Sequence, residues 1–268
     1  MTPHGVGQLA PKAAAQDFFR DISMRRFHIE TPGSEVSHVR LSAEDSRHLV
    51  QVLRLGIGAV VHLFDGMGME YEGRVASIDR GTVVVSIEVA RRNRSESPLE
   101  MILLQGFLKE KKMDLLVRQA TELGVSRFVP VFARRSVPRP EARRLESRFG
   151  RWEKIATEAL KQCRRGRIPA IGPACGTDDA LALVRHCALK IVFWEEGGRR
   201  LNEILADIQP PVQSVALLMG PEGGWGAEEI AAAREAGFEV ASLGPRILRA
   251  ETATVAACAL LQHRLGDM

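Results

Sequence analysis

The sequence predicts an α/β protein in which a small β-rich domain precedes a parallel-sheet domain. Two observations lead to this prediction. Residues 24–97 are rich in β-branched runs, whereas strand and helix patterns alternate from residue 99 onward. Alternation of this kind is typical of a parallel sheet covered by helices on both faces. The segment 91–98 is polar and ends in proline, so it marks a linker, and the predicted domains are 24–97 and 98–268.

The first domain is predicted to be barrel-like, with one or two helices. Residues 43–55 have helical spacing, with a shared face at His48, Leu49, Val52 and Leu53. Asp65-Gly66-Met67-Gly68 has the residues of a turn that needs positive φ angles. Residues 1–23 show no period and are expected to be a disordered extension. The strands are predicted at 59–65, 70–78 and 82–89.

The second domain is predicted to consist of five strands and five helical segments. Gly124 and Gly237 are expected to end two of the helices in the left-handed conformation. The strands are predicted at 100–107, 127–133, 188–194, 215–219 and 239–243, and the helices within 109–123, 140–165, 201–208, 228–236 and 250–265, with the remaining connections left unassigned.

Glycine-containing loops follow three of these strands. Ligands of open parallel sheets bind beyond the carboxyl ends of the strands, where glycine lets the backbone approach a ligand closely. Neither the dinucleotide fingerprint nor the P-loop pattern is present, which disfavours nicotinamide and nucleoside-triphosphate enzymes. Any one glycine is explained by a turn or a helix cap, but three loops together favour a ligand site. The segments are Phe193–Gly198, Met219–Gly224 and Leu243–Arg246.

Composition and cysteine usage exclude several classes of protein. Hydrophobic residues make up 45% of the 268 residues, yet no apolar run approaches the roughly 20 residues that span a bilayer. With no secretory signal pattern at the N-terminus, a cytoplasmic location is expected. The four cysteines form no C-x-x-C pair and have no histidine at zinc-finger spacing, so free thiols and no metal site are predicted.

Positive charge is concentrated in one segment. Residues 134–167 contain twelve Arg/Lys and four Glu, a net charge of +8, so the other residues sum to −4 within the total of +4. A segregated basic stripe favours a nucleic-acid partner, although a solvated helix face would have the same composition.

Two arginines precede the last helix. Arg246 and Arg249 flank Ile247-Leu248 at a helix N-terminus, where the helix dipole favours anions rather than cations. Recognition of an anion would explain them, and so would two surface arginines whose stems pack on the fold. Glu251 lies in the first helical turn and is interpreted as a capping residue, with a catalytic role as the alternative.

These segments resemble the bacterial 16S rRNA uridine N3-methyltransferases, the RsmE-type members of the SPOUT superfamily. The resemblance rests first on Met219–Gly224 and Leu243–Ala253. The segments 48–55, 120–125 and 134–136 are also similar to motifs of this family, whereas Lys161 departs mildly from its usual pattern. The similarity covers residues 24–265 and leaves the first 23 residues without a counterpart.

The resemblance implies a fold and a cofactor. It implies an N-terminal PUA-like RNA-binding β-barrel and a C-terminal trefoil-knotted SPOUT domain that binds S-adenosylmethionine, in a homodimer. The alanine-rich last helix would suit such a subunit contact. By resemblance, the cofactor pocket would use Leu218, Gly220, Gly224, Leu243, Gly244, Ile247, Leu248 and Arg249.

The resemblance also implies a reaction, methylation of uridine N3 in the 16S rRNA of the small ribosomal subunit without a metal. Arg249 is the first candidate for stabilising negative charge on the base, Arg246 the second, and Glu251 a possible proton acceptor. Two alternatives stay open: another SPOUT reaction, on a ribose 2′-oxygen or on tRNA, and a non-catalytic RNA-binding assembly factor. The residues expected to contact rRNA are Arg25, Arg26, Arg134, Arg135, Arg164 and Arg165.

Overall fold

The structure of the chain is a computed structural model that describes residues 25–30, 37–109, 111–137, 141–209 and 211–268. The predicted extension, residues 1–23, and Pro140 at the predicted start of a helix lie outside the described residues. The chain divides into two compact units, with the boundary between Asn93 and Arg94.

A five-stranded sheet forms the first unit, which also contains a short helix, α1 (Ala43–Arg47), followed by one π-helical turn, His48–Val52. The strands are β1 (Arg26–His28), β2 (His38–Arg40), β3 (Val60–Phe64), β4 (Met69–Asp79) and β5 (Thr82–Arg92). Their order is β1-β3-β4-β5-β2. Only the β1–β3 pair is parallel; the other neighbours are antiparallel.

The turns of this unit follow from its glycines and Asp65. The Asp65 carboxylate accepts hydrogen bonds from the backbone N–H groups of Met67 and Met69, at 2.8 and 3.0 Å. Gly66 and Gly68 have φ angles of 71° and 110°, so the predicted turn is confirmed.

The helix predicted over 43–55 differs from the observed one. After α1, the wider π turn buries Leu49 completely but leaves Val52 64% exposed. In an α-helix these two residues would share a face, whereas a π turn rotates the later residue away from it. The apolar face predicted to include Val52 was therefore wrong.

The second unit is built on a wholly parallel sheet, as predicted, but the sheet has eight strands rather than the five predicted. The strands are β6 (Glu100–Gly106), β7 (Arg127–Phe132), β8 (Ala170–Ile171), β9 (Cys175–Gly176), β10 (Leu189–Phe193), β11 (Arg199–Arg200), β12 (Ser214–Met219) and β13 (Glu239–Ser242). Their order is β11-β13-β10-β12-β6-β7-β8, and β9 also pairs with β7. The two-residue strands β8, β9 and β11 were not predicted, because they are too short to show a period.

Helices cover both faces of this sheet. They are α2 (Lys111–Glu122), α3 (Ala142–Cys163), α4 (Thr177–Leu183), α5 (Leu201–Ala206), α6 (Ala227–Glu235) and α7 (Ala250–Leu265). Alternate residues of each strand point to opposite faces. Met101 and Leu103 of β6 pack in the core with α2, α3, α5 and α7, and Ile102 and Leu104 pack in the core with α4 and α6.

Arg165, just after α3, is a buried structural residue. Its side chain is 5% exposed, and its Nη1 donates hydrogen bonds to the carbonyl oxygens of Thr121 and Val125 at 2.7 and 3.0 Å. Its Nη2 forms an ion pair with Glu96 at 3.1 Å. With the guanidinium engaged inside the fold, the prediction that Arg165 contacts RNA phosphates was wrong.

Glu96 anchors the segment before β6 to the end of α3. Besides Arg165, its carboxylate accepts hydrogen bonds from the backbone N–H groups of Gly166 and Arg167, both at 2.8 Å. One carboxylate therefore holds the residues that follow α3, where Arg164 turns the chain with a φ of 66°.

Removing the Arg165 side chain is expected to destabilise the fold strongly. In Arg165→Ala, the Glu96 carboxylate loses its cation inside the protein, a change that costs about 3–5 kcal/mol for buried ion pairs. Urea denaturation monitored by circular dichroism measures the free energy of unfolding. Arg167→Ala, at an exposed neighbouring arginine, is the control and should change it by about 0.5 kcal/mol or less. Equal losses in the two variants would contradict the structural role.

Candidate functional site

The carboxyl ends of three neighbouring strands open into one cavity of about 420 Å³. β10 ends at Phe193, β12 at Met219 and β13 at Ser242, and the strands stand in the order β13-β10-β12. This edge is where open parallel sheets bind ligands. The volume falls within the roughly 300 to 1,000 Å³ of pockets that enclose small organic ligands.

Most residues predicted for a ligand site line this cavity. Leu218 does not, because its side chain is 1% exposed and packs in the core between the sheet and α6. Met219 lines the cavity instead, since successive side chains of a strand point to opposite faces. The predicted residues that line it are Gly220, Gly224, Leu243, Gly244, Arg246, Ile247, Leu248, Arg249 and Glu251.

The first wall of the cavity is the loop after β12, and two of its contacts require glycine. Gly224 has a φ of 68°, and a Cβ there would lie 2.3 Å from Oε1 of Glu195. Gly106, at the end of β6, would place a Cβ 2.5 Å from the backbone nitrogen of Pro221. The loop thus lies directly on the end of a neighbouring strand.

The second wall is the segment from Leu243 to Arg249, between β13 and α7. Gly244 has a φ of 112°, a conformation that favours glycine. Arg249 is the N-cap of α7, and its carbonyl accepts a hydrogen bond from the N–H of Ala253 at 2.8 Å. The side chains of Arg246 and Arg249 are exposed at the rim of the cavity, which gives the rim two cations.

Lys112 of α2 joins the two walls. Its Nζ lies 3.1 Å from Oε1 of Glu222 and 3.3 Å from Oε2 of Glu251. The hydrogen bond with Glu222 is the largest cause of a raised pKa of Lys112. The ammonium group therefore stays charged and bridges the glycine loop to the first turn of α7.

Glu251 is a weak candidate for a proton acceptor. Burial favours its neutral form, but its own backbone N–H, Lys112 and Arg249 outweigh that effect and lower the pKa of its carboxyl group. A base with a lowered pKa takes up protons less readily. The geometry makes Glu251 an ion-pair partner of Lys112.

Comparison with known proteins identifies the family. A family model described as RNA methyltransferase domain matches residues 95–262, and one described as RNA methyltransferase PUA domain matches residues 41–88. The chain is 31% identical to the ribosomal RNA small subunit methyltransferase E of Synechocystis sp., an alignment that covers 85% of this chain and 73% of that protein. This chain belongs to the ribosomal RNA small subunit methyltransferase E family.

Solved structures of similar proteins agree with this assignment. A ribosomal RNA small subunit methyltransferase E from Neisseria gonorrhoeae, bound to S-adenosyl methionine, is 31% identical and has a TM-score of 0.80. A putative methyltransferase from Legionella pneumophila, in complex with the same cofactor, is 30% identical and has a TM-score of 0.82. Each alignment covers 91% of this chain and 99% of the other.

Among the cavity residues of this methyltransferase E family member that were not named as site residues from the sequence are Trp194, Glu195, Glu222 and Lys112. Trp194 and Glu195 follow β10, whose end was predicted to be a ligand site without any role for single side chains. Glu222 belongs to the predicted glycine loop. Lys112 comes from a helix more than 100 residues away in sequence, and no local pattern connects it to the two glutamates.

The arginines predicted to contact RNA differ in how far they are exposed. Arg134 pairs with Glu228 at the start of α6, and Arg135 donates a hydrogen bond to the Gly223 carbonyl at 3.3 Å. Both are exposed beside the glycine loop. Arg164 is half-buried.

Arg26 is a structural residue of the first unit, in contrast to the prediction. Its side chain is 3% exposed, pairs with Glu70 at 3.1 Å and lies 4.5 Å from the centre of the Phe64 ring. It therefore has no surface to offer to RNA, whereas Arg25 is half-buried.

The described residues contain neither a metal-binding cluster nor a membrane-spanning helix. Among them, no group of three or more His, Cys, Asp or Glu side chains is arranged to hold a metal ion. No helix in this part of the family member is long and apolar enough to cross a membrane.

Replacing Lys112 is expected to have a pH-dependent cost. The pKa of Glu251 is below its usual 4.5 and that of Lys112 is above its usual 10.5. The ion pair therefore stabilises the fold fully between pH 4.5 and pH 10.5. It is lost as the pH falls through the lowered pKa or rises through the raised one. Lys112→Met should lower the free energy of unfolding by about 1 kcal/mol at pH 7, since the lysine is partly exposed.

Urea denaturation at pH 7 and at pH 4 measures this cost. The difference between wild type and Lys112→Met should shrink at pH 4. Lys111→Met, at the exposed preceding residue, is the matched control and should show no such trend. A Lys112→Met deficit that grows as the pH falls would contradict the assignment.

Proposed function

We propose that this chain transfers a methyl group from S-adenosylmethionine to N3 of one uridine in the 16S rRNA of the small ribosomal subunit. The observation that carries the proposal is the cavity of about 420 Å³ enclosed by two glycine loops, with Arg246 and Arg249 at its rim. Family membership and the cofactor-bound relatives support it.

The residues of the cavity fit S-adenosylmethionine. Trp194 lines the cavity, and its buried indole nitrogen has no hydrogen-bond partner within the described residues. An acceptor of the cofactor would satisfy this donor. Gly220, Gly224 and Gly244 leave backbone groups accessible, and Leu243 and Leu248 add apolar contact. The sulfonium of the bound cofactor would supply an electrophilic methyl group.

The task of the protein is then to make uridine N3 nucleophilic. Neutral uridine holds a proton on N3, and the anion formed when solvent water takes up that proton carries charge on O2 and O4. We assign the stabilisation of that charge to Arg249, because a guanidinium presents several donors in a fixed fork. Arg246 is the second candidate. Glu251, with its lowered pKa, maintains the Lys112 bridge rather than accepting the proton.

The RNA must present an unpaired base. N3 lies on the Watson–Crick edge, so the uridine has to be single-stranded or extruded, at a cost of a few kcal/mol. We assign phosphate contacts to Arg134 and Arg135, next to the glycine loop, with Arg164 and Arg25 as further candidates. Exposed residues of α3 extend the basic surface: Arg143, Arg144, Arg151 and Lys154.

We further propose a cytoplasmic homodimer, with a PUA-like rRNA-binding domain over 24–97 and a knotted SPOUT catalytic domain over 98–268. The small residues of α7 permit close approach of a second subunit. Leu260 on α7 and Leu115 on α2, which packs against α7, are 47% and 36% exposed and would contribute apolar surface to it. A ribosomal substrate favours the cytoplasm.

Gly224→Ala is expected to weaken cofactor binding. At the Gly224 φ of 68° an L-residue costs about 1–2 kcal/mol, and the new Cβ would also displace Glu195 from the cavity wall. The dissociation constant for S-adenosylmethionine, measured by isothermal titration calorimetry, should rise about tenfold. Gly226→Ala is the control, because Gly226 has a φ of −76° and room for a Cβ. Equal affinities in both variants would argue against this cavity as the cofactor site.

The reaction is tested with labelled S-adenosylmethionine and small ribosomal subunits that lack the modification, followed by nucleoside mass spectrometry. The expected product is 3-methyluridine. Arg249→Ala should reduce its rate at least a hundredfold, the usual order of effect for losing one charge-stabilising donor. Arg264→Ala, at an exposed arginine near the far end of α7, should leave the rate unchanged.

Each other outcome identifies an alternative. Label in a ribose-methylated nucleoside, or in tRNA only, would indicate a different SPOUT reaction. Subunit binding without any label transfer would indicate an assembly factor.

A further inference from the structure

A buried polar network centred on Gln105 and Thr254 adjoins the cavity through the backbone of Gly220 and Ala250. Gln105 at the end of β6 and Thr254 in α7 are 0% and 1% exposed, and neither is among the cavity-lining residues. The Thr254 hydroxyl lies 2.8 Å from Oε1 of Gln105. Nε2 of Gln105 lies 3.0 Å from the carbonyl oxygen of Gly106 and 3.2 Å from that of Gly220.

The chemistry of these partners fixes the orientation of the Gln105 amide. Carbonyl oxygens only accept hydrogen bonds, so the two hydrogens of Nε2 must point to Gly106 and Gly220. Oε1 is then left to accept from Thr254. The hydroxyl of Thr254 also lies 3.0 Å from the Ala250 carbonyl oxygen, a second acceptor for the same hydrogen.

The network joins three chain segments that build the cavity. Gln105 belongs to the strand end on which the glycine loop rests, and Gly220 begins that loop. Thr254 lies about one and a half helical turns after Arg249, the N-cap of α7. The Gln105 side chain thus links the glycine loop to the start of α7, where Arg249 lies, and sets the distance between them.

The network costs more to bury than apolar side chains of the same shape would. Polar groups must be taken out of water, and their hydrogen bonds in the fold return little net stability. What the hydrogen bonds provide beyond apolar packing is direction, because they hold the Gly220 carbonyl and the first turns of α7 at fixed positions. Misplacement of reacting groups by about 1 Å can cost a factor of 100 in rate.

We propose that Gln105 and Thr254 are positioning residues of the methyl-transfer site. Gln105 fixes the glycine loop through Gly220, and Thr254 ties the start of α7, with Arg249, to Gln105. Neither residue touches the cofactor or the RNA. The proposal rests on the proposed function, and it assigns different roles to the two halves of the network.

The two halves are separated by near-isosteric variants. Thr254→Val removes the bond between Gln105 and α7 but leaves Gly220 bound. It should lower kcat about tenfold or more while the S-adenosylmethionine dissociation constant stays within about threefold of wild type. Gln105→Met also releases Gly220, so it should lower kcat and raise the dissociation constant about tenfold. Thr254→Ser, which keeps the hydroxyl, should restore most of kcat.

Thr121→Val is the matched control. Thr121 is 1% exposed, lies in a helix of the same unit and donates to the carbonyl four residues earlier, Val117, at 2.7 Å. Its variant should lose thermal stability without changing kcat or cofactor affinity. If Thr254→Val and Gln105→Met behave like Thr121→Val, the network is structural only and the proposal is wrong.

The affinity measurement separates this proposal from the proposed function. Isothermal titration calorimetry needs no RNA, so it yields a result even if wild-type protein transfers no methyl group to subunits. In that case the proposed reaction fails, and weaker cofactor binding by Gln105→Met but not by Thr254→Val would still support the role of Gln105. Unchanged binding by both variants would overturn it.

Discussion

The close contact between Gly106 and the Gly220–Pro221 peptide is the constraint on which the site depends. A Cβ on Gly106 would lie 2.5 Å from the Pro221 nitrogen and 2.8 Å from the Gly220 carbonyl carbon. The loop after β12 therefore rests directly on the end of the adjacent strand. That proximity lets the Gln105 amide reach the loop from below and the Lys112 ammonium reach it from the rim. A larger residue at 106 would lift the loop away from both.

Two groups of interactions follow from this contact, and they differ in chemistry. One is the hydrogen-bond network of Gln105, Thr254 and Gly220, and the other is the pair of ion pairs that Lys112 makes. The buried one consists of neutral groups whose donors and acceptors match one another, so it depends little on pH. The one at the rim consists of a cation between Glu222 and Glu251 and depends on their ionisation. Glu251 and Thr254 are three residues apart and so share a face of α7. The helix is thus attached to the glycine loop at two depths along the same face.

Most of the fold and much of the site could be predicted from the sequence. Alternating apolar periods indicated the parallel sheet, and glycines after strands indicated its ligand-binding edge. The predictions for Arg26 and Arg165 were wrong because sequence shows a charge but not the carboxylate that will bury it; Glu70 and Glu96 lie 44 and 69 residues away. The side chain of Leu218 does not line the cavity and that of the next residue, Met219, does, because successive side chains of a strand alternate. Lys112 and Gln105 act through partners distant in sequence, and the knot implied by the resemblance stays a prediction.

The position of Glu96 has a consequence for how such proteins recombine. This residue precedes the first strand of the sheet, yet it holds the end of α3 through Arg165, Gly166 and Arg167. The family model of the methyltransferase domain begins at residue 95, one position before it. A gene fusion that joined another domain directly to β6 would leave a buried guanidinium without its counter-ion. A methyltransferase domain that is transferred by gene fusion must therefore include the residues just before β6, and not only the sheet and its helices.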